Sequence, residues 1–441
     1  MTGARQTAER EPIERRLAAA GLPPLPRNAW LELDLDAVAA NLALVRELVG
    51  PAVRIEPIVK ADAYGHGMVP IGRALIEAGA DGLCVATFDE AAALRDAGIA
   101  DRVTVLFPIP PELSPAARAL GIGIAAGNRD QITRILAALA SSGVGDGAVP
   151  PLALELEVES GLGRGGVPPD EIVAAARAIE ASPAVRLAGV WTHLQASEDA
   201  PRTAAQIERF EAASAVLAAA GIGGSRRHLA ASGGILVPAI PAYDAVRPGL
   251  MIYGLAPDEF DPADLPPAAS RLRPVLSLLA RPVHVADLPA GYGLSYGPTF
   301  VTGRPSRIAT LPVGYGDGWS RALSNRADAL VRGRRVPIVG NVAMDAILVD
   351  VTDVPGSPVG LDDEFVLIGE QGTERITVRE LAQARTTNSW EVVTAMSRRL
   401  PRVYDAPAGL VGVRMLNVVE DRWLGSSSGT AISAISRSTR S

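Results

Sequence analysis

Gly82-Leu83-Cys84-Val85-Ala86, then Thr87-Phe88-Asp89-Glu90, then Ala91 to Ala97 closed by Gly98, spells out one strand, one turn and one helix. The apolar run reads as a buried strand, Thr87 and Glu90 form a capping box, and Gly98 suits a C-terminal stop. The same unit recurs from about residue 53 to residue 250. Its apolar runs are Arg54 to Val59, Gly82 to Ala86, Val103 to Phe107, Gly121 to Ala125, Leu152 to Val158, Leu187 to Trp191, His228 to Ala231 and Ala245 to Arg247. Between them, Pro168 and Pro169 suit the first turn of a helix over Asp170 to Glu180, and Gly79 and Gly221 suit helix ends. Strands alternating with helices imply a parallel sheet, and eight such units predict an α/β fold of the (β/α)8 TIM-barrel type. A doubly wound open sheet is the alternative, but no G-x-G-x-x-G follows the first run.

Working outward, the texture changes after Tyr253. Residues 257–274 are rich in Pro and Asp and read as a linker. Beyond it come short strands: Leu276 to Val285, Ser306 to Pro312, Ala329 to Val331, Arg335 to Val339, Ala346 to Val351 and Glu364 to Ile368. The expected organisation is an N-terminal extension (1–27), a barrel (28–265), a mostly β C-terminal domain (266–420) and a Ser-rich, disordered tail (421–441). Residues 1–26 are expected to be mobile as well.

Net charge is −7 with both signs mixed along the chain, which argues against a nucleic-acid partner. Met1 to Arg16 has no apolar signal core, and no stretch is apolar for long enough to span a bilayer, so the expected compartment is the cytoplasm. Cys84 is the only cysteine and sits in an apolar run, so no disulfide or cysteine metal site forms within one chain, and no metal is expected.

The sharpest compositional feature is a solitary lysine. Of 42 basic residues, 41 are Arg and one is Lys60. Guanidinium cannot serve as an amine nucleophile, whereas a lysine amine can. In a barrel, active-site groups lie just past the C-terminal ends of the strands. Lys60 follows the first run, Arg164 the fifth, His193 the sixth and Ser232 the seventh, while Arg247 closes the eighth. Singly these are unremarkable turn, core and cap residues; jointly they outline a mouth. The turns Ala230-Ala231-Ser232-Gly233-Gly234 and Arg247-Pro248-Gly249-Leu250 follow the last two runs, where barrels often bind phosphate. Spacing alone leaves two readings open: a pyridoxal-phosphate enzyme or a lysine-dependent aldolase.

Pro57-Ile58-Val59-Lys60-Ala61-Asp62-Ala63-Tyr64-Gly65-His66-Gly67 closely resembles the cofactor-lysine signature of the alanine racemase family. Family-like segments follow in order: Gly161-Leu162-Gly163-Arg164, Trp191-Thr192-His193, Val246-Arg247-Pro248-Gly249, Ser295-Tyr296-Gly297, Pro312 to Trp319, and Val339 to Asp345. The resemblance spans roughly residues 28 to 418. It implies that Lys60 holds pyridoxal 5'-phosphate covalently and then acts as the base on one face of the substrate, with Tyr296 from the partner subunit as the base on the other. A homodimer with shared active sites follows, acting on a small amino acid and converting L-alanine to D-alanine. The resemblance also implies that Arg247 faces the pyridine nitrogen, that His193 orients Arg247, and that Tyr64, Ser232, Gly249 and Leu250 hold the phosphate. Arg164 and the Met344 amide would receive the substrate carboxylate, and Tyr315 would narrow the entrance.

Two positions depart from the family pattern. Glu157 stands where many members carry a carboxylated lysine, and Arg398 where a tyrosine near phosphate and substrate is frequent. Arg398 keeps a phosphate-binding capacity but alters the shape and charge of the pocket. A broader or serine-directed racemase of the same family is therefore one alternative. A decarboxylase of the same architecture is disfavoured by Arg247, where those enzymes place an acid. A non-catalytic carrier of the cofactor is disfavoured by the second domain with its Tyr296.

Overall fold

The computed structural model describes residues 11–142 and 149–416. The described residues form two compact units, one within 38–273 and the other from 11–37 together with 274–416.

In the first unit the strands are β2 (Arg54–Ile55), β3 (Leu83–Val85), β4 (Val103–Val105), β5 (Ile122–Ala126), β6 (Leu152–Glu157), β7 (Val185–Trp191), β8 (Arg226–Ala231) and β9 (Ala245–Arg247). The order β2-β9-β8-β7-β6-β5-β4-β3 is parallel throughout. A parallel bridge between Ile58 and Cys84 joins the two ends of the row and closes the ring. Each strand matches one of the eight apolar runs, so the barrel expectation holds. The intervening helices begin where their caps predict. Glu90 accepts the Thr87 N–H (3.2 Å) at the start of the helix Phe88–Asp96, and Asn128 caps Arg129–Ser141 by accepting the Gln131 N–H (2.8 Å). Gly79, Gly98 and Gly221 all take positive φ, as C-terminal stops require.

The second unit is built on β1 (Ala29–Asp34), β10 (Leu276–Ala280), β11 (His284–Leu288), β12 (Gly293–Leu294), β13 (Phe300–Val301), β14 (Ser306–Leu311), β15 (Asp328–Val331), β16 (Arg334–Val339), β17 (Ile347–Asp350), β18 (Phe365–Gln371), β19 (Glu374–Ile376), β20 (Arg402–Ala406) and β21 (Gly409–Arg414). The large sheet runs β11-β14-β17-β16-β15-β18-β10-β1-β20-β21, with β19 beside β18. The sequence missed β1, β12, β13 and β19–β21, and it missed the helices Val378–Arg385 and Ser389–Thr394.

Three expectations are corrected. Residues 28–37 were expected in the barrel, yet β1 pairs antiparallel with β10 and parallel with β20. Ala-Trp-Leu-Glu-Leu-Asp has no feature that selects one sheet over another, so only tertiary pairing assigns it. The N-terminal extension was expected to be mobile, but Ile13–Ala19 is a helix whose Ile13 and Leu17, four apart, are buried. Arg16 fastens it by donating to Glu32 (3.1 Å) on β1 and Asp405 (2.8 Å) on β20. The linker 257–274 carries two short 3-10 turns, Pro262–Asp264 and Pro267–Arg271. The Ser-rich tail lies outside the described residues.

Candidate active site

The barrel mouth begins with an unusual backbone. Immediately after Lys60, Ala61 (φ 52°, ψ 49°), Asp62 (56°, 44°) and Ala63 (54°, 51°) take left-handed helical angles, and Tyr64 continues at φ 50°. Such angles cost L-residues roughly 1–2 kcal/mol each, so the turn must be held from outside. Glu90 accepts the Ala61 N–H (2.6 Å), Asp62 accepts the Met68 N–H (3.0 Å), and His66 Nδ1 lies 2.9 Å from the carbonyl oxygens of both Ala63 and Tyr64. Tyr253 donates its hydroxyl to the Ile58 carbonyl (2.8 Å) and stacks on the Tyr64 ring with centroids 4.9 Å apart. The turn thereby swings Tyr64 towards the loop that follows β9.

There the second half of the cradle is found. Ser232 Oγ accepts N–H bonds from Gly249 (2.9 Å) and Met251 (3.2 Å), bringing the loops after β8 and β9 together. A side chain at 249 would fill the space: a Cβ there lies 2.8 Å from Tyr64 Oη. Tyr64, Ser232, Gly249 and Leu250, all buried, thus form one concave, neutral, donor-bearing corner suited to an anion such as phosphate.

The charged groups sit beside it. Burial and the Arg164 cation lower the Lys60 amine from its ordinary pKa, while Glu90 opposes them. A half-buried, depressed amine is the kind that attacks carbonyls. His193 is pushed down to about 3 by burial and by Arg247, Arg164 and Lys60, so it is a neutral imidazole at physiological pH. Arg164 lies over the Phe107 ring (5.3 Å), and its Nη2 is 3.9 Å from Glu157 Oε1. Burial raises the Glu157 carboxyl above the usual range, while Arg164 and Arg247 pull it down.

Arg247 is almost wholly buried, and the expectation that His193 orients it is corrected. Arg247 Nη1 donates to His228 Nδ1, and Nη2 donates to the Thr192 carbonyl (2.8 Å). His228 lies on β8, next to β9, whereas His193 lies beyond the end of β7. Trp191 lines the same layer, its ring parallel to His228 and 4.8 Å below the Arg247 guanidinium.

In the β unit, Tyr315 and Met344 are brought together by the Tyr315 N–H to Ala343 carbonyl bond (3.0 Å) and the Gly316 N–H to Met344 carbonyl bond (2.9 Å). Tyr296 is 76% exposed on a loop whose carbonyl accepts from Asn341 Nδ2 (2.8 Å). Arg398 is also exposed.

Residues 33–257 match the model for "Alanine racemase, N-terminal domain" and residues 275–404 the model for "Alanine racemase, C-terminal domain". The chain belongs to the alanine racemase family. Among its relatives, the alanine racemase of Symbiobacterium thermophilum is 42% identical over 86% of this chain and 97% of its own length. That of Syntrophobacter fumaroxidans is 39% identical over 84% and 96%. The crystal structure of alanine racemase from Bacillus anthracis with bound L-Ala-P superposes with a TM-score of 0.81 at 32% identity, covering 89% of this chain and 98% of that one. A histidine racemase from Leuconostoc mesenteroides shares the fold as well, with a TM-score of 0.77 at 28% identity over 86% and 99%. As a member of the alanine racemase family, the chain is an amino-acid racemase. Among the described residues no helix is long and apolar enough to cross a membrane.

Glu155, His228, Glu90 and Tyr253 escaped sequence reasoning. Each supports a site residue; the sequence marks Glu90 only as half of the capping box with Thr87, and nothing in it foretells the bond to the Ala61 N–H. The one available signal was the count of four histidines, which makes a strand histidine next to Arg247 notable.

Proposed function

We propose that the chain interconverts L- and D-alanine with pyridoxal 5'-phosphate attached to Lys60, in the cytoplasm, as a homodimer. The observation that carries the reading is Lys60 itself: the only lysine of the chain, with a depressed amine, at the mouth of a barrel beside an anion cradle. The bare α-carbon of Gly249, facing Tyr64 Oη, fits a group that carries a phosphate. When bound, pyridoxal phosphate withdraws electrons from the substrate and acidifies its Cα–H bond.

The residues divide the remaining work. Tyr64, Ser232, Gly249 and Leu250 bind the phosphate. Arg247, which cannot surrender its proton, donates to the ring nitrogen, making a weaker electron sink than a carboxylic acid would. Such an environment favours return of the proton over transamination. His193, held neutral, lines the cofactor without adding charge. Arg164, backed by Glu157, receives the substrate carboxylate together with the Met344 amide, and Tyr315 narrows the entrance. Lys60 Nζ moves a proton on one face of Cα, and Tyr296 Oη moves one on the other. Two bases on opposite faces are what inversion requires, since a single base tends to return the proton where it came from. The exposure of Tyr296 on its own protomer supports its delivery to the partner subunit's site.

Arg398 favours a second reading, in which the pocket takes larger or more polar amino acids than alanine. The test combines borohydride reduction and peptide mapping with chiral analysis of a panel containing alanine, serine and histidine. A pyridoxyl adduct on Lys60 with fastest inversion of alanine is expected. Absence of the adduct from cofactor-loaded protein overturns the assignment, and faster inversion of serine or histidine transfers it to the second reading.

A further inference from the structure

Behind Arg247 the barrel interior holds a buried polar chain that the proposed chemistry does not use. His228, 1% exposed, presents Nδ1 to Arg247 and Nε2 to Glu155 Oε2 at 3.1 Å. Glu155 is wholly buried, and its other oxygen, Oε1, accepts from Arg226 Nη2 (2.9 Å) and from Arg102 Nη2. Arg226 in turn donates to Glu56. Gly189 on β7 makes the seat, because a Cβ there would overlap Glu155 Oε2.

The donor inventory fixes the protons. A guanidinium only donates, so His228 Nδ1 must be the acceptor and its proton must sit on Nε2, facing the Glu155 carboxylate. A doubly protonated imidazole would set N–H against N–H at Arg247, in keeping with burial and the Arg247 cation pushing His228 down to about 3. Glu155 is held down to about 2, since His228 and the two arginines outweigh its burial, so it is an acceptor throughout the working range. The arrangement follows the logic by which a buried carboxylate sets the tautomer of a catalytic histidine.

We propose that Glu155 is a positioning residue for Arg247: by accepting the Nε2–H of His228 it selects the tautomer whose Nδ1 receives Arg247, and so aims the guanidinium. The inference rests on the role of Arg247 towards the cofactor ring, and it adds the residue that fixes that role. Replacement by the isosteric amide makes a specific demand. In Glu155→Gln the amide oxygen must stay where the two guanidiniums donate, at the Oε1 position. The NH2 group then faces His228 Nε2, and the imidazole must move its proton to Nδ1, against Arg247.

The full-length protein, selectively labelled with 15N-histidine, has four histidines, His66, His193, His228 and His284, assignable by single substitutions. In wild type, with or without cofactor, His228 is expected to be neutral and protonated on Nε2 from pH 5 to 8. In Glu155→Gln the proton should appear on Nδ1, with kcat reduced on the order of tenfold and KM unchanged, as for loss of an outer partner that orients a reacting group. Wild-type His228 protonated on Nδ1, or charged, overturns the proposal, and this reading stands even if the variant does not fold. A folded Glu155→Gln that keeps the Nε2 proton overturns it too. The tautomer is read on cofactor-free protein. A missing Lys60 adduct would therefore sink the cofactor assignment without changing the His228 result.

Discussion

Replacing Gly249 with alanine should damage the phosphate corner through Tyr64. The added Cβ lies 2.8 Å from Tyr64 Oη, where ordinary contact begins near 3.4 Å, so the phenol has to retreat by about 0.6 Å. It has nowhere to go cheaply. Its ring is buried against Tyr253, which is itself pinned to the Ile58 carbonyl. The backbone at 249 (φ −107°, ψ −94°) adds to the difficulty for any residue with a Cβ. Overpacking of this kind costs about 1–3 kcal/mol. Cofactor-free Gly249→Ala should therefore melt roughly 2–4 °C lower for each kcal/mol lost, by calorimetry. If Tyr64 holds phosphate, pyridoxal phosphate should bind about tenfold more weakly, measured by equilibrium titration. Tyr64→Phe removes the clashing atom, so adding it to Gly249→Ala should restore the lost stability, a coupling that a double-mutant cycle isolates. A Gly249→Ala protein as stable as wild type, or one that Tyr64→Phe does not rescue, refutes the reasoning.

Three further outcomes are expected. His193 and His228, both held near 3, take up protons in the unfolded chain below about pH 6.5 but not in the folded one, so stability is full above that pH and lost as pH falls; urea unfolding at pH 5 should show a loss of about 2 kcal/mol for each, and a flat profile would count against burial of neutral imidazoles. Glu157→Gln should raise KM for alanine about fivefold with kcat little changed, because Arg164 is partly exposed and an ion pair 3.9 Å long is worth at most about 1 kcal/mol; an unchanged KM would end the idea that Glu157 orients Arg164. Ala61→Gly, at an exposed residue with φ 52°, should leave the protein more stable by up to about 1 kcal/mol, against the usual trend for glycine, and a lowered melting temperature would show that the left-handed turn is not strained there.

The barrel was legible because its eight apolar runs, separated by caps and glycine stops, recur in register with the βα unit. The lysine was legible because every other basic residue is arginine. The interior network was not. Leu154-Glu155-Leu156-Glu157 has the period-two alternation of a strand with one wet face, yet all four residues are buried, because a barrel strand has helices on one side and the closed interior on the other. The buried glutamates must be paired, and the partners of Glu155 (Arg102, Arg226 and His228) and of Glu157 (Arg164) come from other strands and loops that no local pattern connects. The turn after Lys60 was recognisable as a motif, but its left-handed backbone was not, since Ala-Asp-Ala-Tyr carries no glycine to announce positive φ. The destination of β1 was hidden for a related reason: a short apolar strand states that it will be covered and not by what.

That destination has a consequence for how the molecule is made. β1 takes its place between β10 and β20, and neither exists until most of the chain has left the ribosome. At 5–20 residues per second, Trp30 and Leu31 wait roughly 20–70 s for the residues that will bury them. Meanwhile the barrel, complete by Arg247, is free to form behind them. The nascent β1 strand is thus left without its sheet neighbours while the barrel strands already have theirs. A fragment starting at Pro274 would be born with a slot in its sheet that a peptide carrying residues 29–34 is shaped to fill.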